Sequence, residues 1–594
     1  MSVATLEKTA KRVTGGNFLV EDLLPEDIFT VEDFTPEQKQ IALMTASFAE
    51  EKILPQTDEI EKKNYGVSRK LMLELGALGL LGVDVPEEYG GIDMDKVTSA
   101  LVAQHIGING SFSVTFGTHV TIGTLPLVWY GNAAQKQKYL PKLVTGEWIA
   151  AYGLSEASAG SDAMNIRTRA TLTPDGKHYL LNGEKMWISN AGIADLFTVF
   201  AKIDGEKFSA FLVEKGTPGF TVGNEEHKLG IRGSSTCPLI FADCKIPVEN
   251  LLGTAGKGHQ IAFNILNVGR YKITTGAIGG CQNLLKHGVR YAKGRMAFGR
   301  PISSFGLVQQ KIADCASAIY ASEAMSYRVI GAIDVALAEL DRESPTYTQD
   351  LQKRIEEFVI ECSIMKAYGS EALERVVDHV LQIHGGYGYV EDYPIERTYR
   401  DARINKIFEG TNEINRLVAA NWLLKRAAMG SIALAPAMKK VMDEVRTGDF
   451  TRSSDTGPLA EEHALLRSAK KVALFCLSTV LERFGNDLTE QQEVLGGIAE
   501  IMMELLALES CILRTEKMNK PASLAVPLTK YYAARSFRII ETFAERILGT
   551  AAEGDTLRHK MKSFRLLTEH VPCNTALLGR QISDAMVEAG AYKL

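Results

Sequence analysis

The chain has 594 residues, of which 45% are hydrophobic and 23% are charged, so its composition is that of a globular protein rather than a disordered one. This length exceeds what one hydrophobic core usually organises, and several domains are expected. The formal net charge of −6 is small for the length and argues against a nucleic-acid-binding protein, because such binding needs clustered Lys and Arg.

The cysteines and the two ends of the sequence favour a cytoplasmic protein. Eight cysteines are dispersed without a Cys-x-x-Cys pair, which predicts neither a metal site nor a disulfide framework. No apolar run approaches the roughly 18 uninterrupted residues of a membrane helix. The first residues lack the apolar block of a secretion signal. The last three, Tyr-Lys-Leu, differ from the peroxisomal Ser-Lys-Leu signal in their first residue.

The first 149 residues are predicted to form an arm and a helical domain. Residues 1–34 are interpreted as an arm lying on the body of the protein, because the segment 18–29 is too apolar for a free tail. Thr35-Pro36-Glu37-Gln38 has the spacing of a capping box with proline at the first helical position. Helical periodicity then continues, so the domain is placed at 35–149.

Residues 150–255 change to the period of β-strands. Short runs of β-forming residues, such as Phe197–Ile203 and Phe208–Val213, are separated by turn signals. These signals are Pro174-Asp175-Gly176, Asn182-Gly183, Asp204-Gly205 and Pro218-Gly219. The pattern predicts a small antiparallel β domain.

Helical periodicity returns in the remainder of the chain. Three long helical segments predict a helix bundle in residues 256–430. They cover residues 260–298, 305–340 and 348–383. A polar stretch within residues 431–458 is interpreted as a linker. Residues 459–594 are helical again with balanced charges, which predicts an appended helical domain rather than a basic arm for nucleic acid.

Glu409 is the residue on which the functional interpretation depends. It lies in a connection between two helical patterns, directly before the second one. Phe408 and Gly410 give the carboxylate an apolar neighbour and a flexible hinge, and burial in such a setting raises the pKa of a base. By residue type alone the simpler interpretation is an ordinary residue beside a helix start, with Gly410 or Thr411 as the cap.

Several motifs resemble signatures of the flavin-dependent acyl-CoA dehydrogenases. They are Tyr-Gly-Leu-Ser-Glu at 152–156, Ala-Gly-Ser-Asp at 159–162, Lys-Met-Trp-Ile-Ser-Asn at 185–190, Arg-Met-Ala-Phe-Gly at 295–299, and the segment 382–416 around Glu409. Ala157 replaces the usual proline of the first signature. The order of units over about residues 35–430 resembles the family fold, which is mainly α with a small β domain and a C-terminal four-helix bundle. The appended domain resembles the very-long-chain branch.

The resemblance implies FAD as the cofactor. A Rossmann site is not supported, since no Gly-x-Gly-x-x-Gly motif follows a strand and opens a helix. The matching positions for the cofactor are Tyr152, Leu154, Ser155, Ser161, Trp187, Ile188, Ser189, Arg295, Phe298, Gln309, Gln382, Gly386, Thr411 and Glu413. In the family, the loop containing Gly386 approaches the adenosine diphosphate half of FAD across a subunit boundary. Read singly, Trp187 could be β-domain core and Arg295 a surface residue.

The resemblance also implies the reaction. Glu409 would remove the α-proton of an acyl-CoA while a hydride passes from the β-carbon to the flavin, leaving a trans-2-enoyl-CoA in fatty-acid β-oxidation. A minority branch carries its base at the position of Gly269, which has no carboxylate here. The matching substrate positions are Ser113, Gly117, Ser161, Arg270 and Gly410. Small residues at 113 and 117 indicate room for a long acyl chain, or else only allow close helix packing.

Partners and alternatives follow from the same resemblance. Electrons are expected to pass to electron-transfer flavoprotein, and a homodimer is expected because the appended domain covers the surface where other members form tetramers. An acyl-CoA oxidase that reduces dioxygen shares the fold and the base, and an assembly or protective relative shares the fold without turnover. Weak contact of the appended domain with a membrane surface stays open, although no strongly basic amphipathic segment favours it.

Overall fold

The computed structural model describes residues 11–448, 456–520 and 523–594, and its architecture is mainly α with a small β domain, as predicted. Within the predicted arm, Phe18, Leu19 and Phe29 are buried. The ring of Phe34 meets the ring of Tyr327 edge-on, with the ring centres 4.8 Å apart. The described part of the arm therefore packs on the body of the protein through its apolar side chains.

Seven helices form the N-terminal helical layer. They are α1 (Pro36–Phe48), α2 (Thr57–Glu61), α3 (Tyr65–Ala77), α4 (Lys96–Ile106), α5 (Gly110–Gly117), α6 (Leu125–Tyr130) and α7 (Ala133–Val144). The predicted capping box begins α1: the hydroxyl of Thr35 accepts from the backbone N–H of Gln38 at 3.1 Å, and the side chain of Gln38 accepts from the N–H of Thr35 at 3.0 Å. A π-helical turn, Thr118–Gly123, follows α5 directly.

The β domain is one eight-stranded sheet. Its strands are β1 (Ala150–Gly153), β2 (Arg169–Leu172), β3 (His178–Ser189), β4 (Leu196–Ile203), β5 (Lys207–Glu214), β6 (Phe220–Val222), β7 (Thr236–Pro247) and β8 (Leu251–Leu252). The order is β6-β7-β3-β2-β4-β5-β8, mainly antiparallel as predicted. The exceptions to the antiparallel arrangement are at β4. β1 and β2 lie one after the other along one edge of β4, and both pair with it in parallel. The predicted turn at Asn182-Gly183 is instead an irregularity inside β3, where the register with β7 shifts.

Long helices of the third domain form the predicted bundle. After α8 (Gly258–Gly294), a short hairpin of β9 (Met296–Ala297) and β10 (Arg300–Pro301) leads into α9 (Gly306–Ala338), α10 (Tyr347–Glu356), α11 (Val359–His384), α12 (Pro394–Ala402) and α13 (Asn412–Ala428). α8, α9, α11 and α13 pack together, and α8 also packs on α4. That last contact is so close that a β-carbon on Gly279 would lie 1.8 Å from the carbonyl oxygen of Gln104.

The predicted linker contains a helix, α14 (Leu434–Thr447), while its residues 449–455 lie outside the described residues. Leu434 and Val441 are buried, seven residues apart on one helical face, so apolar contact stabilises α14. The appended domain consists of α15 (Ala460–Phe484), α16 (Gln492–Met518), α17 (Ala525–Ala551), α18 (Gly554–Leu567) and α19 (Thr575–Ala589). α16, α17 and α19 pack on α9 of the bundle.

An ionic cluster lies where the arm, the bundle and the appended domain meet. We call it the Arg514 cluster, and it comprises Arg514, Glu32, Glu323 and Tyr592. The side chain of Arg514 is 2% exposed, and its guanidinium lies 2.9 Å from Glu32 and 3.2 Å from Glu323. The hydroxyl of Tyr592 donates to the same oxygen of Glu323 at 3.1 Å. Burial raises the pKa of Glu323, and Arg514 lowers it.

No helix within the three described ranges combines the length and the apolarity needed to cross a bilayer. All eight cysteines are free thiols, and only Cys573 is exposed.

Candidate active site

A cavity of about 510 Å³ lies between α5, α8, the β domain and the turn before α13. Residues that the sequence placed at separate points of the chain line this one cavity: Ser113, Gly117, Tyr152, Leu154, Ser155, Ser161, Trp187, Ile188, Ser189, Arg270, Glu409 and Gly410. The structure thus brings the predicted base, the predicted substrate positions and the predicted flavin-ring positions together.

The turn that carries Glu409 has an unusual backbone. Glu409 and Gly410 are both left-handed, with φ of +57° and +81°, and this conformation costs free energy for a residue other than glycine. Side chains hold the turn in place: the Lys366 ammonium donates to the carbonyl of Gly410 at 2.7 Å, and the Asn415 amide donates to the same carbonyl at 2.8 Å. The Thr411 hydroxyl then caps α13. Hydrogen bonds to the backbone therefore keep this strained geometry in one conformation.

The carboxyl group of Glu409 lies against α8 at a point where there is no side chain. A β-carbon on Gly269 would lie 2.8 Å from the Oε2 atom of Glu409. That oxygen is buried and has no hydrogen-bond partner among the described residues. A buried carboxyl oxygen without a partner is costly and is expected where a ligand supplies the missing contact. Glycine at 269 thus makes the space that the carboxyl occupies.

Two cations, Arg270 and Lys366, influence the pKa of this carboxyl. Burial raises the pKa of Glu409 to about 7, although Arg270 and Lys366 act to lower it. Burial lowers the pKa of Lys366, and Glu409 opposes that effect. Arg270 is itself buried, and its guanidinium donates to Asn267 at 2.9 Å and to Ser363 at 3.2 Å. A carboxyl with a pKa near neutrality is suited to accept a proton at physiological pH.

The wall of the cavity formed by the sheet presents an indole. Trp187 is 56% exposed, so the alternative interpretation as β-domain core is wrong. The register of β3 with β7 shifts between Lys185 and Ile188, and Trp187 takes a left-handed φ of +57° there. This irregularity turns the indole out of the sheet. The neighbouring Tyr152 hydroxyl is buried and has no partner among the described residues.

Two predicted cofactor positions lie together in a different place, and a third lies nearby in the sequence. Arg295 and Gly386 line a second cavity, of about 820 Å³, together with Tyr291, His384, Tyr387 and Tyr393. The guanidinium carbon of Arg295 is 5.7 Å from the ring centre of Tyr387. Gln382 is exposed on the last turn of α11. Within one chain, these residues do not line the cavity that contains Glu409.

The remaining predicted positions have other surroundings. Phe298 is 95% exposed in the hairpin region after α8. The amide of Gln309 donates to Asp584 of the appended domain at 2.9 Å. Thr411 caps α13, and a backbone hydrogen bond lowers the pKa of Glu413 beside it. The cofactor roles assigned to these four residues stay predictions.

Lys366 and Asn415 were missed by the sequence analysis. Lys366 stands between Met365 and Ala367 on a completely buried stretch of α11, and a lone charge in such a stretch is the signal that could have identified it. Asn415 lies one turn into α13, where an asparagine usually contributes little. No local pattern indicates that its side chain turns back to the carbonyls of Gly410 and Thr411.

Comparison with known families gives one consistent result. Four profiles match, described as the acyl-CoA dehydrogenase N-terminal domain over residues 35–147, the middle domain over 151–244 and two C-terminal domains over 256–424 and 468–566. A Bacillus subtilis (strain 168) protein named probable acyl-CoA dehydrogenase is 43% identical over 591 residues, 99% of each chain. The human mitochondrial very long-chain specific acyl-CoA dehydrogenase is 37% identical over 415 residues, which are 68% of this chain and 60% of that one.

Solved structures show the same relationship. The crystal structure of an acyl-CoA dehydrogenase complexed with FAD from Bacillus anthracis is 44% identical, covers 98% of this chain and 100% of its own, and superimposes with a TM-score of 0.96. A butyryl-CoA dehydrogenase from Megasphaera elsdenii is 35% identical and covers 66% of this chain and 99% of its own, with a TM-score of 0.59. Over its catalytic domains and its C-terminal extension alike, the chain belongs to the acyl-CoA dehydrogenase family.

Proposed function

We propose that this protein is an FAD-dependent acyl-CoA dehydrogenase that oxidises a long-chain acyl-CoA to the trans-2-enoyl-CoA. The observation that carries the proposal is the carboxyl of Glu409, which is buried, lines the cavity and has an oxygen without a hydrogen-bond partner among the described residues. A pKa of about 7 makes it a base that is ionised in a substantial fraction at neutral pH.

The residues around the cavity fit FAD. The exposed indole of Trp187 offers a flat apolar surface. The hydroxyl of Tyr152, which has no partner in the described part of the chain, and the hydroxyls of Ser155 and Ser189 offer polar contacts for ring heteroatoms. When bound, the flavin supplies the hydride acceptor for the β-carbon of the substrate. The second cavity, with Arg295 among aromatic rings, is suited to the adenosine diphosphate half of a cofactor held by a neighbouring subunit, which supports the expected homodimer.

Within the chain, Glu409 removes the α-proton, and its backbone N–H is proposed to donate to the thioester oxygen as negative charge develops there. Lys366 and Asn415 hold the turn, so the carboxyl does not have to be repositioned during the reaction. Gly269 keeps the space beside the carboxyl free of a competing side chain.

The pH dependence follows from the pKa of Glu409. The base works only when ionised, so kcat/KM is expected to fall about tenfold for each pH unit below about pH 7 and to level off above it. Initial rates of the purified enzyme between pH 5 and 9, with an artificial dye as the electron acceptor, measure this pH profile of kcat/KM. A profile that stays flat down to pH 5 would contradict the assignment of the base.

The wall at α5 supports a long-chain substrate. A β-carbon on Gly117 would meet no atom within 4 Å, so the glycine faces open space and does not serve close helix packing. Ser113 lines the same cavity one turn earlier on α5. We therefore infer that the acyl tail extends past these two small residues.

Filling that space is expected to shorten the preferred acyl chain. The wild-type protein should turn over C16 acyl-CoA better than C8 acyl-CoA. Gly117→Leu should lower kcat/KM for the C16 substrate about tenfold or more while leaving that for the C8 substrate within a factor of about three, because added methylenes clash only with the longer tail. Steady-state kinetics with both substrates test this. A preference of the wild-type protein for C8 would defeat the long-chain proposal.

The experiment that tests the proposed function starts from the flavin band. Palmitoyl-CoA should bleach it anaerobically, and electron-transfer flavoprotein should restore it. Restoration by dioxygen with formation of hydrogen peroxide, and no response to electron-transfer flavoprotein, would identify an oxidase. A protein that binds no flavin after reconstitution, or that is never bleached by an acyl-CoA, would favour an assembly or protective relative. We propose a cytoplasmic location for this enzyme.

A further inference from the structure

A series of polar side chains connects the turn that carries Glu409 to the appended domain. It begins at Lys366 on α11, which donates to the carbonyl of Gly410 at 2.7 Å and to the side-chain oxygen of Asn412 at 2.9 Å. Asn412 is the first residue of α13, and its side chain is buried. The ammonium of Lys366 therefore joins the residue after the base to the start of the next helix.

The carboxylate of Glu371 fixes the orientation of the Asn412 amide. Its Oε1 atom accepts from the Nδ2 atom of Asn412 at 2.9 Å. A carboxylate only accepts hydrogen bonds, so the amide turns its nitrogen toward Glu371 and its oxygen toward the ammonium of Lys366. The hydroxyl of Ser370 also accepts from this nitrogen, at 3.0 Å. Glu371 thus decides which end of the amide Lys366 meets.

Arg416 on α13 holds Glu371 and is itself held by the appended domain. Its Nη2 atom donates to the two carboxylate oxygens of Glu371 at 2.8 and 2.9 Å. Its Nε atom donates at 2.7 Å to Glu500, which lies on α16. All three side chains are partly buried, so solvent screens these contacts only in part. The guanidinium therefore lies between one carboxylate of the bundle and one of the appended domain.

We propose that Glu500 of the appended domain is a positioning residue for the catalytic turn and acts on it through Arg416 and Glu371. This inference rests on the proposed function, because it concerns the turn whose carboxyl would remove the α-proton. With Glu500 present, the guanidinium of Arg416 is fixed from two sides. Glu371 then keeps its contact with the amide of Asn412. Without Glu500, the guanidinium draws on Glu371 alone and moves this carboxylate off the amide.

The effect on the base follows from the contacts of Lys366. Once Glu371 has moved, the amide of Asn412 can turn its nitrogen toward the ammonium, and two donors do not bond to each other. The ammonium then loses one of its two acceptors and holds the carbonyl of Gly410 less tightly. Glu409 has a strained left-handed backbone, so loosening at the next residue lets its carboxyl leave the position from which it acts.

The test compares Glu500→Gln with changes that lie off this series of contacts. In the holoenzyme, Glu500→Gln should lower kcat for palmitoyl-CoA about three- to tenfold with KM unchanged. Hydrogen exchange, followed by mass spectrometry, should become at least about threefold faster in the backbone amides of residues 404–413. Two controls should change neither quantity. Tyr531→Phe removes a 2.8 Å hydrogen bond between the appended domain and Asp314 of the bundle, and Glu493→Gln is an exposed change of the same kind on α16.

Combined variants identify the route. Arg416→Lys keeps the charge but cannot bridge two carboxylates, so it should give the same losses as Glu500→Gln. In a Glu371→Gln background, Glu500→Gln should lower kcat by less than about twofold further, because the route is already broken there.

Other results would overturn the proposal. Full additivity of the Glu371→Gln and Glu500→Gln losses would exclude this route. Unchanged kcat and exchange in Glu500→Gln, with only a lower unfolding midpoint, would reduce its contact with Arg416 to a docking ion pair. Equal losses in Tyr531→Phe would make general loosening of the interface the cause. Exchange does not depend on turnover, so faster exchange confined to residues 404–413 supports the positioning role even if no acyl-CoA bleaches the wild-type flavin.

Discussion

Glu409→Gln is expected to retain FAD and to bind acyl-CoA but to lose nearly all turnover, by roughly 10²- to 10⁴-fold or more for the base alone. The amide has the size and shape of the carboxyl, so it fits the space left by Gly269 without a clash. It cannot accept the α-proton at any working pH. Rapid mixing with palmitoyl-CoA under anaerobic conditions, followed at the flavin band, measures this step directly and separately from reoxidation.

Controls identify the cause of the loss. Flavin content and the shift of the flavin spectrum on adding an unreactive acyl-CoA thioether should match wild type in Glu409→Gln. Glu409→Asp keeps the carboxylate, but its side chain is one methylene shorter and holds the charge farther from the substrate. This variant should retain a small part of the bleaching rate. Glu588→Gln, an exposed change of the same kind on α19, should behave as wild type. Normal bleaching in Glu409→Gln would refute the assignment.

Arg514→Met is expected to be the most destabilising of the substitutions considered. It leaves Glu323 buried without its cation, and breaking a buried ion pair from one side costs about 3–5 kcal/mol. It also removes the link of Glu32 to the appended domain. The midpoint of unfolding in guanidinium chloride, followed by far-UV circular dichroism, should therefore fall clearly below that of wild type. The exposed Arg483→Met on α15 serves as the matched control.

The loss of stability in Arg514→Met is expected to depend on pH. Burial raises the pKa of Glu323, and loss of Arg514 removes the group that lowers it. A carboxyl whose pKa is raised in the folded state destabilises the protein as pH rises through that pKa. The difference between Arg514→Met and wild type should thus be largest at neutral pH and shrink toward pH 4.5. Adding Glu323→Gln to Arg514→Met should recover part of the loss. An equal deficit at both pH values would argue against an uncompensated Glu323.

Local signals in the sequence were sufficient for much of the fold. The capping box at Thr35, the return of helical periodicity in the bundle and the position of Glu409 in a connection all depend on residues within a few positions of each other. α14 was missed because its surroundings are polar, although Leu434 and Val441 carry the helical spacing. Asn182-Gly183 is a pair that usually makes a turn, but here the pairing of β3 with β7 continues past it.

The site was harder to predict where it depends on distant contacts. Trp187 reads as a core residue until the shift of β3 turns it outward. The contact of Gln309 with Asp584 joins residues 275 positions apart, which no local pattern encodes. Lys366 acts on the catalytic turn through tertiary packing of α11 against the residues before α13. Burial decides the pKa of Glu409, and burial is a property of the assembled cavity rather than of the motif.

The Arg514 cluster has a consequence for synthesis on the ribosome. Glu32 and Arg514 are 482 positions apart, and Lys517 holds Asp33 beside them at 2.6 Å. At a translation rate of 5–20 residues per second, the arm would wait roughly 25–100 s after it emerges before these partners exist. During that interval the arm lacks these ion pairs, although its partners on the bundle are made earlier: Gly331 lies against Phe29, and Glu361 accepts from the N–H of Gly16. The ionic contacts of the first segment with the appended domain are thus formed late in synthesis, after its contacts with the bundle have become possible.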